Sequence, residues 1–251
     1  MSPGSVARMS GRWALFLDVD GTLLEIAETP SSVHVSDELR SLLLRLSLRL
    51  DGALALISGR SIDDLDALFA PLQFCASGVH GCERRETNGC IIKSRLHPHA
   101  LMLVRDELEI FVKQRPGLVL EDKGAGLALH FRQAPHLSGE VLNLLRGICK
   151  RLGPQFRLQA GKCVLEVRPG GYSKGSAIAE FMKEPPFVDR TPIFIGDDIT
   201  DEDGFSVVNR LGGLSIKVGE QAETLAKHRL ENVTEVLQWL EALPSPLIAN
   251  A

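Results

Sequence analysis

The sequence predicts an α/β protein: a core built on a parallel sheet, with an α+β domain inserted into it. Three short apolar runs, at 13–17, 53–57 and 192–195, are typical of buried parallel strands. The polar residue Ser58 follows the second run, and Lys174 precedes the third. These two residues lie 116 residues apart. That distance far exceeds the roughly 30 residues of one βαβ unit, so a further domain is inserted between them.

The inserted segment has a different pattern from the core. Short strand-like runs in hairpin order alternate there with two helical patterns, which favours an α+β arrangement. We expect strands at 89–93, 118–123, 127–132, 156–160 and 163–167 and helices at 99–114 and 136–152. In the core we expect a helix at 61–69, a strand at 73–77 and a final helix at 233–243. The predicted organisation is a core of 12–82 and 168–243, an inserted domain of 83–167, and disordered tails at 1–11 and 244–251.

Composition narrows the class of protein. With 251 residues, 44% of them hydrophobic, the chain can bury a substantial core. The net charge of -4 argues against nucleic acid as a main partner. The first apolar stretch is five residues long, too short for a signal peptide or a membrane span. Five cysteines without zinc-site spacing indicate reduced thiols. We therefore expect a cytoplasmic monomer that has no membrane partner.

Two carboxylates stand at the end of the first predicted strand, Asp18 and Asp20 in the stretch Asp18-Val19-Asp20-Gly21-Thr22. Open α/β sheets bind ligands at the carboxyl ends of their strands, and neighbouring carboxylates there repel each other unless a cation neutralises them. Oxygen ligands without nearby His or Cys favour Mg²⁺, which commonly binds phosphate as well. The alternative is a helix N-cap, because Asp and Thr are good capping residues.

Two further segments supply groups that suit a phosphate. Ser58-Gly59-Arg60 follows the second strand, where a hydroxyl and free N–H groups can hold phosphate oxygens. Lys174 stands at the start of a helical pattern and can hold a phosphate and a nucleophile together. Each segment also has an explanation that involves no ligand. Ser-Gly-Arg is a common turn, and a lysine near a helix start is usually solvated.

The strand at 192–195 leads into five carboxylates within seven residues. Asp197 and Asp198 are nearest the strand end and are predicted to reach a metal shared with Asp18. Asp201 to Asp203 are predicted to cap or flank the helix that begins there. A calcium loop of the EF-hand kind is a competing hypothesis, but the alternating ligands and the closing Glu are absent.

Taken together and in this order, these segments resemble the haloacid dehalogenase (HAD) superfamily of phosphohydrolases. The chain is similar, more narrowly, to the trehalose-6-phosphate phosphatase family over about residues 12–240. The narrower resemblance rests on Ser58-Gly59-Arg60, Gly78-Val79-His80-Gly81, Glu121-Asp122-Lys123, His130-Phe131-Arg132, Glu166-Val167-Arg168-Pro169 and the acidic stretch from Gly196 to Glu202.

The resemblance implies a HAD-like Rossmannoid core and a role for each matching residue. Asp18 would be the nucleophile that takes the phosphoryl group, and Asp20 the acid and then the base. Mg²⁺ would be held by Asp18, the Asp20 carbonyl and Asp197. Asp198 would either hydrogen-bond to a group that holds the metal or be an alternate ligand. The phosphate would be bound by Ser58, Lys174 and the adjoining loops, which contain Gly21, Thr22, Gly59 and Arg60.

The inserted domain would then be a cap that selects the substrate. Polar side chains in it would hydrogen-bond sugar hydroxyls, since a site that pairs hydroxyls rejects analogues lacking them. The candidates are Glu121, Lys123, His130, Arg132 and Glu166. Alternatively, the first four form cross-strand charge pairs on a solvated sheet face. His80 is either a supporting hydrogen-bond group of the substrate site or an ordinary loop histidine.

The activity implied by the resemblance is Mg²⁺-dependent hydrolysis of trehalose 6-phosphate through an aspartyl-phosphate. The nearest alternative is a capped phosphatase for another sugar phosphate, of the sucrose phosphate or mannosyl-phosphoglycerate type. A phosphomutase and a non-catalytic phosphosugar sensor are further alternatives. A sensor has little need of both Asp18 and Asp20, so the sequence favours an enzyme.

Overall fold

The computed structural model describes residues 12–26, 33–93, 98–123, 126–161, 163–220 and 223–243. The chain divides into two compact units: the first runs to Ile92 and resumes at Ser173, and the second covers Lys93–Tyr172. The tails predicted at 1–11 and 244–251 lie outside the described residues.

Strands and helices alternate along most of the described chain. The strands are β1 (Trp13–Leu17), β2 (Leu54–Ile57), β3 (Cys75–Gly78), β4 (Glu83–Arg85), β5 (Ile91–Lys93), β6 (Val119–Asp122), β7 (Leu127–His130), β8 (Phe156–Gly161), β9 (Val164–Pro169), β10 (Thr191–Gly196), β11 (Leu214–Val218) and β12 (His228–Leu230). The α-helices are α1 (Asp37–Arg49), α2 (Ile62–Phe69), α3 (Pro98–Lys113), α4 (Ser138–Leu152), α5 (Lys174–Phe181), α6 (Glu202–Arg210) and α7 (Val233–Glu241). Short 3₁₀ helices occupy Val79–Gly81, Pro135–Leu137 and Ile199–Asp201.

The first unit is built on a sheet of order β12-β11-β10-β1-β2-β3-β4-β5. From β12 to β3 every neighbouring pair is parallel, and β1 lies between β10 and β2. All five side chains of β1 and all four of β2 are buried, as expected for strands covered on both faces. This confirms the predicted α/β core with its parallel sheet. It also brings the carboxyl ends of β1, β2 and β10 to one edge of the sheet.

The first unit extends further along the chain than the sequence predicts. β4 pairs antiparallel with β3, and β5 is the edge strand beyond it, so a strand predicted for the inserted domain belongs to the core sheet. The units therefore divide at Lys93 and Ser173, whereas the sequence predicts divisions at 83 and 168. Both strands have only three residues. The 3₁₀ turn at Val79–Gly81 joins β3 to its partner β4, and β5 then pairs with β4. A run that short carries no sign of which sheet it joins.

The second unit has an antiparallel sheet of order β6-β7-β9-β8 with its own hydrophobic core. Side chains from α3 and α4 join that core, including Leu108, Val141 and Leu145. On β9 the buried Leu165 and Val167 belong to it, so the alternating Glu166 faces the opposite side of the sheet. This confirms the predicted mixture of helices and antiparallel strands.

The described part of the chain contains no helix that is both long and apolar enough to span a bilayer. All five cysteines are free thiols.

Candidate active site

Three strand ends carry the polar groups of the site. Leu17 on β1 lies opposite Ile195 on β10 and Leu56 on β2, so the residues that follow these strands emerge at the same edge. Asp18 follows β1, Ser58 follows β2, and Asp197 follows β10. The parallel sheet thus brings together groups that are far apart in sequence.

Asp18 is buried and held from two sides. Lys174 Nζ, at the first position of α5, donates to Asp18 Oδ1 at 2.7 Å, and Thr22 Oγ1 donates to Asp18 Oδ2 at 3.1 Å. The same ammonium donates to Asp201 Oδ1 at 2.7 Å. Asp18 and Lys174 are 3% exposed and Asp201 is fully buried, so water does not screen these pairs strongly. The structure therefore brings the predicted nucleophile into contact with the predicted lysine.

A cluster of carboxylate oxygens lies beside this pair. One oxygen each from Asp18, Asp197 and Asp201 lies within 4.8 Å of the others. Asp197 Oδ1 is buried and has no hydrogen-bond partner among the described residues. A cluster of carboxylate oxygens, one of them without a partner, fits a divalent cation that prefers oxygen, of which Mg²⁺ is the usual example.

Gly21 allows the chain to pass close to this cluster. Its φ of 84° lies in the left-handed region that favours glycine. A Cβ atom at this position would lie 2.1 Å from Asp197 Oδ2. The turn after Asp20 and the carboxylate of Asp197 therefore fit together only because residue 21 has no side chain.

Burial shifts the pKa values of the site. Burial, together with the charges of Asp201 and Asp197, raises the pKa of Asp18 well above its ordinary value, and the opposing effect of Lys174 does not cancel this. Burial and the charge of Asp201 raise the pKa of Asp197 to about 6. Burial alone would lower the pKa of Lys174, but Asp18 and Asp201 outweigh it and the pKa is raised. The lysine therefore stays charged while the carboxyl groups ionise less readily than usual.

Asp20 lies outside the carboxylate cluster and forms an ion pair of its own. Arg60 Nε donates to Asp20 Oδ2 at 2.7 Å, and Arg60 Nη2 donates to Asp20 Oδ1 at 2.6 Å. The Asp20 side chain is 39% exposed and the Arg60 side chain 14%. The guanidinium thus engages both oxygens of the predicted acid and base, a contact that the sequence did not indicate.

Asp198 lies outside the carboxylate cluster, whereas Asp201 lies in it. Asp198 Oδ1 accepts from the Ile199 N–H at 2.7 Å and caps the 3₁₀ helix at Ile199–Asp201, so its side chain is not part of the buried cluster. Asp201 has a capping role as predicted, because its Oδ2 accepts from the Asp198 N–H at 2.9 Å. Its Oδ1 also binds Lys174. Asp201 lies only four residues after Asp197, one short 3₁₀ turn from the end of β10, and this nearness in sequence is the signal that could have placed the two side chains together.

Ser58, Gly59 and His80 form a tight corner next to the site. Ser58 is buried, and its Oγ accepts from the Arg60 N–H at 3.1 Å. The His80 N–H donates to the Ser58 carbonyl at 3.0 Å. A Cβ atom at residue 59 would lie 2.6 Å from His80 Nε2, so the imidazole packs directly on Gly59. His80 therefore supports the loop that presents Ser58 and Arg60.

The predicted sugar contacts lie in the second unit, mostly as ion pairs. His130 Nε2 lies 2.7 Å from Glu121 Oε2, and Lys123 Nζ donates to Glu166 Oε2 at 3.3 Å. The pair of Glu121 with His130 is of the cross-strand kind that the sequence left as an alternative, whereas Glu166, the partner of Lys123, was not part of that alternative. Glu166 is nevertheless 4% exposed, unlike a residue on an open solvated face. Arg132 is exposed, in a turn just after β7 ends at His130.

Arg168 is a buried cation of this sheet that the sequence did not single out for a role. It is 1% exposed, and its Nη2 donates to Gln159 Oε1 at 3.1 Å. Arg168 lies two residues after Glu166 on β9, so both side chains are on the same face of the sheet. This spacing is the sequence signal that could have identified Arg168 as a neighbour of Glu166.

Comparison with known proteins identifies the family. The family model described as trehalose-phosphatase matches residues 16–234. The chain is 48% identical over 242 residues to the trehalose-6-phosphate phosphatase of Escherichia coli (strain K12), covering 95% of this chain and 89% of that protein. It is 46% identical over 207 residues to a probable trehalose-phosphate phosphatase of Sinorhizobium fredii, covering 82% of this chain and 78% of that protein.

Solved structures agree with the fold. The C-terminal domain of a Candida albicans trehalose-6-phosphate phosphatase superposes with a TM-score of 0.83 at 23% identity, covering 97% of this chain and 96% of that one. A trehalose-6-phosphate phosphatase related protein gives a TM-score of 0.76 at 29% identity, covering 90% and 95%. The predicted HAD-like fold and the prediction of a phosphatase are confirmed. The chain belongs to the trehalose-phosphatase family.

Proposed function

We propose that this protein is a Mg²⁺-dependent phosphatase that converts trehalose 6-phosphate to trehalose and phosphate through an aspartyl-phosphate. One observation carries the proposal: a buried Asp18 lies against Lys174 and beside the carboxylates of Asp197 and Asp201. Membership of the trehalose-phosphatase family supports the substrate.

The charges of the cluster favour a divalent cation. When all groups are ionised, three carboxylates lie near two ammonium groups: that of Lys174, which contacts Asp18 and Asp201, and that of Lys217, which binds the carbonyl of Asp197. One negative charge is left without a cation. Asp18 and Asp197 would hold Mg²⁺, with Asp201 beside it, and the unpartnered Oδ1 of Asp197 supports this assignment. The ion would offset the charge of an arriving phosphate and of the carboxylates, so that Asp18 reacts in its ionised form.

In the first step the Asp18 carboxylate attacks the phosphorus. A bond forms between the carboxylate oxygen and phosphorus as the bond from phosphorus to the sugar oxygen breaks, and Asp20 gives its proton to that oxygen. Both Asp20 oxygens accept hydrogen bonds from Arg60 in the structure, so this ion pair opens and Asp20 takes up a proton from solvent before it serves as the acid. The 39% exposure of the Asp20 side chain leaves it room to turn.

In the second step water hydrolyses the aspartyl-phosphate. Asp20 takes a proton from the water, whose oxygen bonds to phosphorus as the bond to Asp18 breaks. Phosphate leaves and Asp18 returns to its first state. Through both steps Lys174 and Ser58 would hold the phosphate oxygens, and an ammonium at 2.7 Å from Asp18 is well placed for this. The N–H groups of Gly21 and Thr22 already donate to the carbonyls of Leu24 and Val19, so these two predicted phosphate-binding residues would shape the turn instead.

The second unit would select the sugar as a cap. Its polar side chains are already held in place by each other, as in the pair of Lys123 with the 4% exposed Glu166 and the pair of Glu121 with His130. Ordered donors and acceptors of this kind suit sugar hydroxyls because they lose little freedom on binding. The exposed Arg132 is a further candidate. We retain the cytoplasmic location and the monomer as expectations from the sequence.

A substrate panel tests the proposal. Phosphate release is measured from trehalose 6-phosphate, glucose 6-phosphate and sucrose 6-phosphate, each with Mg²⁺ and with a chelator. We expect metal-dependent release and the highest kcat/KM for trehalose 6-phosphate. A preference for another sugar phosphate would keep the chemistry of Asp18 and reject the substrate. No release from any of them, with binding retained, would favour a phosphosugar sensor.

A further inference from the structure

Lys217 is the one charged residue of the buried strand β11. All five side chains of β11 are buried, and Lys217 has no exposed area. Placing an ammonium group in the interior is unfavourable unless it meets a partner that offsets the lost hydration. The partner of Lys217 therefore indicates why this position is not apolar.

Lys217 binds the main chain of the candidate metal loop. In the parallel register it lies opposite Gly196, and its Nζ donates to the carbonyl oxygen of Asp197. On the far side of the same peptide group, the N–H of Asp198 donates to Asp201 Oδ2 at 2.9 Å. Because a peptide group is planar and rigid, these two contacts together fix its orientation. A buried cation and a buried carboxylate thus hold the peptide that follows Asp197.

The side chain of Asp197 depends on this support. Its carboxyl group has a hydrogen bond with Asp18, but its Oδ1 has no partner within the described ranges, so the peptide that follows Asp197 helps to set the direction of the carboxylate. Asp201 extends the arrangement, because its other oxygen accepts from Lys174, which also holds Asp18. A continuous chain of contacts therefore runs from Lys217 through the peptide after Asp197 to Asp201. From there it continues through Lys174 to the predicted nucleophile, Asp18.

We propose that Lys217 is a positioning residue: it fixes Asp197 in the direction from which its carboxylate binds the divalent cation. The proposal rests on the metal site of the proposed function. Lys217 itself touches neither metal nor substrate, and it acts through the carbonyl of Asp197. Removing a partner that orients a metal ligand typically weakens metal affinity by about 10-fold to 100-fold, which sets the expected effect.

The test is Mg²⁺ binding by calorimetry in the absence of substrate. Lys217→Met keeps the length and removes the charge, and we expect its Mg²⁺ dissociation constant to rise by about 10-fold to 100-fold. Arg190→Met is the matched control, because Arg190 is also a buried cation and donates to the carbonyl of Trp13, at the opposite end of β1 from Asp18. We expect the control to bind Mg²⁺ within about twofold of the native protein.

A second measurement separates positioning from general damage. The Mg²⁺ concentration for half-maximal phosphate release should rise for Lys217→Met, while kcat at saturating Mg²⁺ stays within a few-fold of native. Lys217→Arg, which keeps the charge and the donors, should restore most of the affinity. If Lys217→Met does not fold, Lys217→Gln is titrated in its place, with at least a fivefold loss of affinity expected.

Three results would overturn the proposal: native affinity in the folded Met or Gln variant, an equal loss in Arg190→Met, or no Mg²⁺ binding by the native protein. Failure of the proposed function is a different result. A native protein that binds Mg²⁺ but releases no phosphate from trehalose 6-phosphate would refute that function, and the metal titration would still decide the role of Lys217.

Discussion

Replacing Gly21 with alanine tests the geometry of the site most directly, because it adds one methyl group next to the carboxylate of Asp197. In Gly21→Ala the new Cβ would lie 2.1 Å from Asp197 Oδ2 and 2.3 Å from its Cγ. The N–H of Gly21 donates to the Leu24 carbonyl at 2.7 Å, so the turn cannot easily move away. We therefore expect the carboxylate of Asp197 to be displaced.

The size of the effect follows from two contributions. Alanine at a φ of 84° costs roughly 1–2 kcal/mol of folding free energy, because L-residues disfavour the left-handed region. The carboxylate must also retreat from 2.1 Å to the ordinary contact distance of at least 3.4 Å, which is a movement of about 1.3 Å. Misplacing a reacting or binding group by about 1 Å can cost about 100-fold in rate. Activity should thus fall far more than stability.

The assay compares Gly21→Ala with Gly52→Ala. Gly52 has the same φ of 84°, but its Cβ would meet nothing nearer than Pro186 Cγ at 3.7 Å. Urea unfolding should give a similar loss of stability for both variants. The kcat/KM for trehalose 6-phosphate should fall by about 100-fold in Gly21→Ala alone. A folded Gly21→Ala variant with kcat/KM within threefold of native would refute the close approach of Gly21 to a functional Asp197.

Three further predictions concern the charges of the site and the choice of substrate. Asp18→Asn should lower kcat by at least about 10⁴-fold; urea unfolding should show undiminished stability, since the buried Asp18 carboxyl has a raised pKa. The pKa of Asp197, raised to about 6, should make the metal-free protein lose stability as pH rises from about 4 through 6. Thermal unfolding in the presence of a chelator should show this loss of stability, and Mg²⁺ should reverse it. Asp197→Asn should reduce the pH dependence. An unchanged pH profile in Asp197→Asn would contradict the assignment of the raised pKa to Asp197. Lys123→Ala and Glu166→Ala should each slow hydrolysis of trehalose 6-phosphate at least about tenfold more than that of p-nitrophenyl phosphate, and equal losses would remove them from the sugar site.

The core strands could be predicted because their signal is local. The runs at 13–17, 53–57 and 192–195 are apolar throughout, and the structure places strands β1, β2 and β10 there, with ends that differ by one residue at most. β4 and β5 could not be assigned to the core in this way. Each has three residues, and a turn of five residues lies between them. Their place in the core sheet is decided by the pairing of β4 with β3 and of β5 with β4.

The polar groups of the candidate site were predictable by residue type and place, but the residues that they contact were not. Asp18 and Asp197 follow buried strands, and the sequence predicts both at the site. The pairing of Asp20 with Arg60 joins residues 40 apart, and that of Lys174 with Asp18 joins residues 156 apart. Asp201 shows most clearly which contacts the sequence could predict and which it could not. Its capping contact is local and was expected, whereas its contact with Lys174 depends on where α5 packs.

The sequence by itself determined the parallel core, the positions at which it carries carboxylate, hydroxyl and ammonium groups, and the resemblance to a phosphatase family. These follow from short-range patterns, because an apolar run is buried wherever it folds and the residue after it lies at a strand end. The tertiary structure decided which carboxylate meets which cation, the pKa shifts of Asp18 and Asp197, and the support that Lys217 gives to the metal loop. Those properties depend on burial and on distances of a few ångströms between distant segments, since electrostatic energies inside a protein change steeply with both.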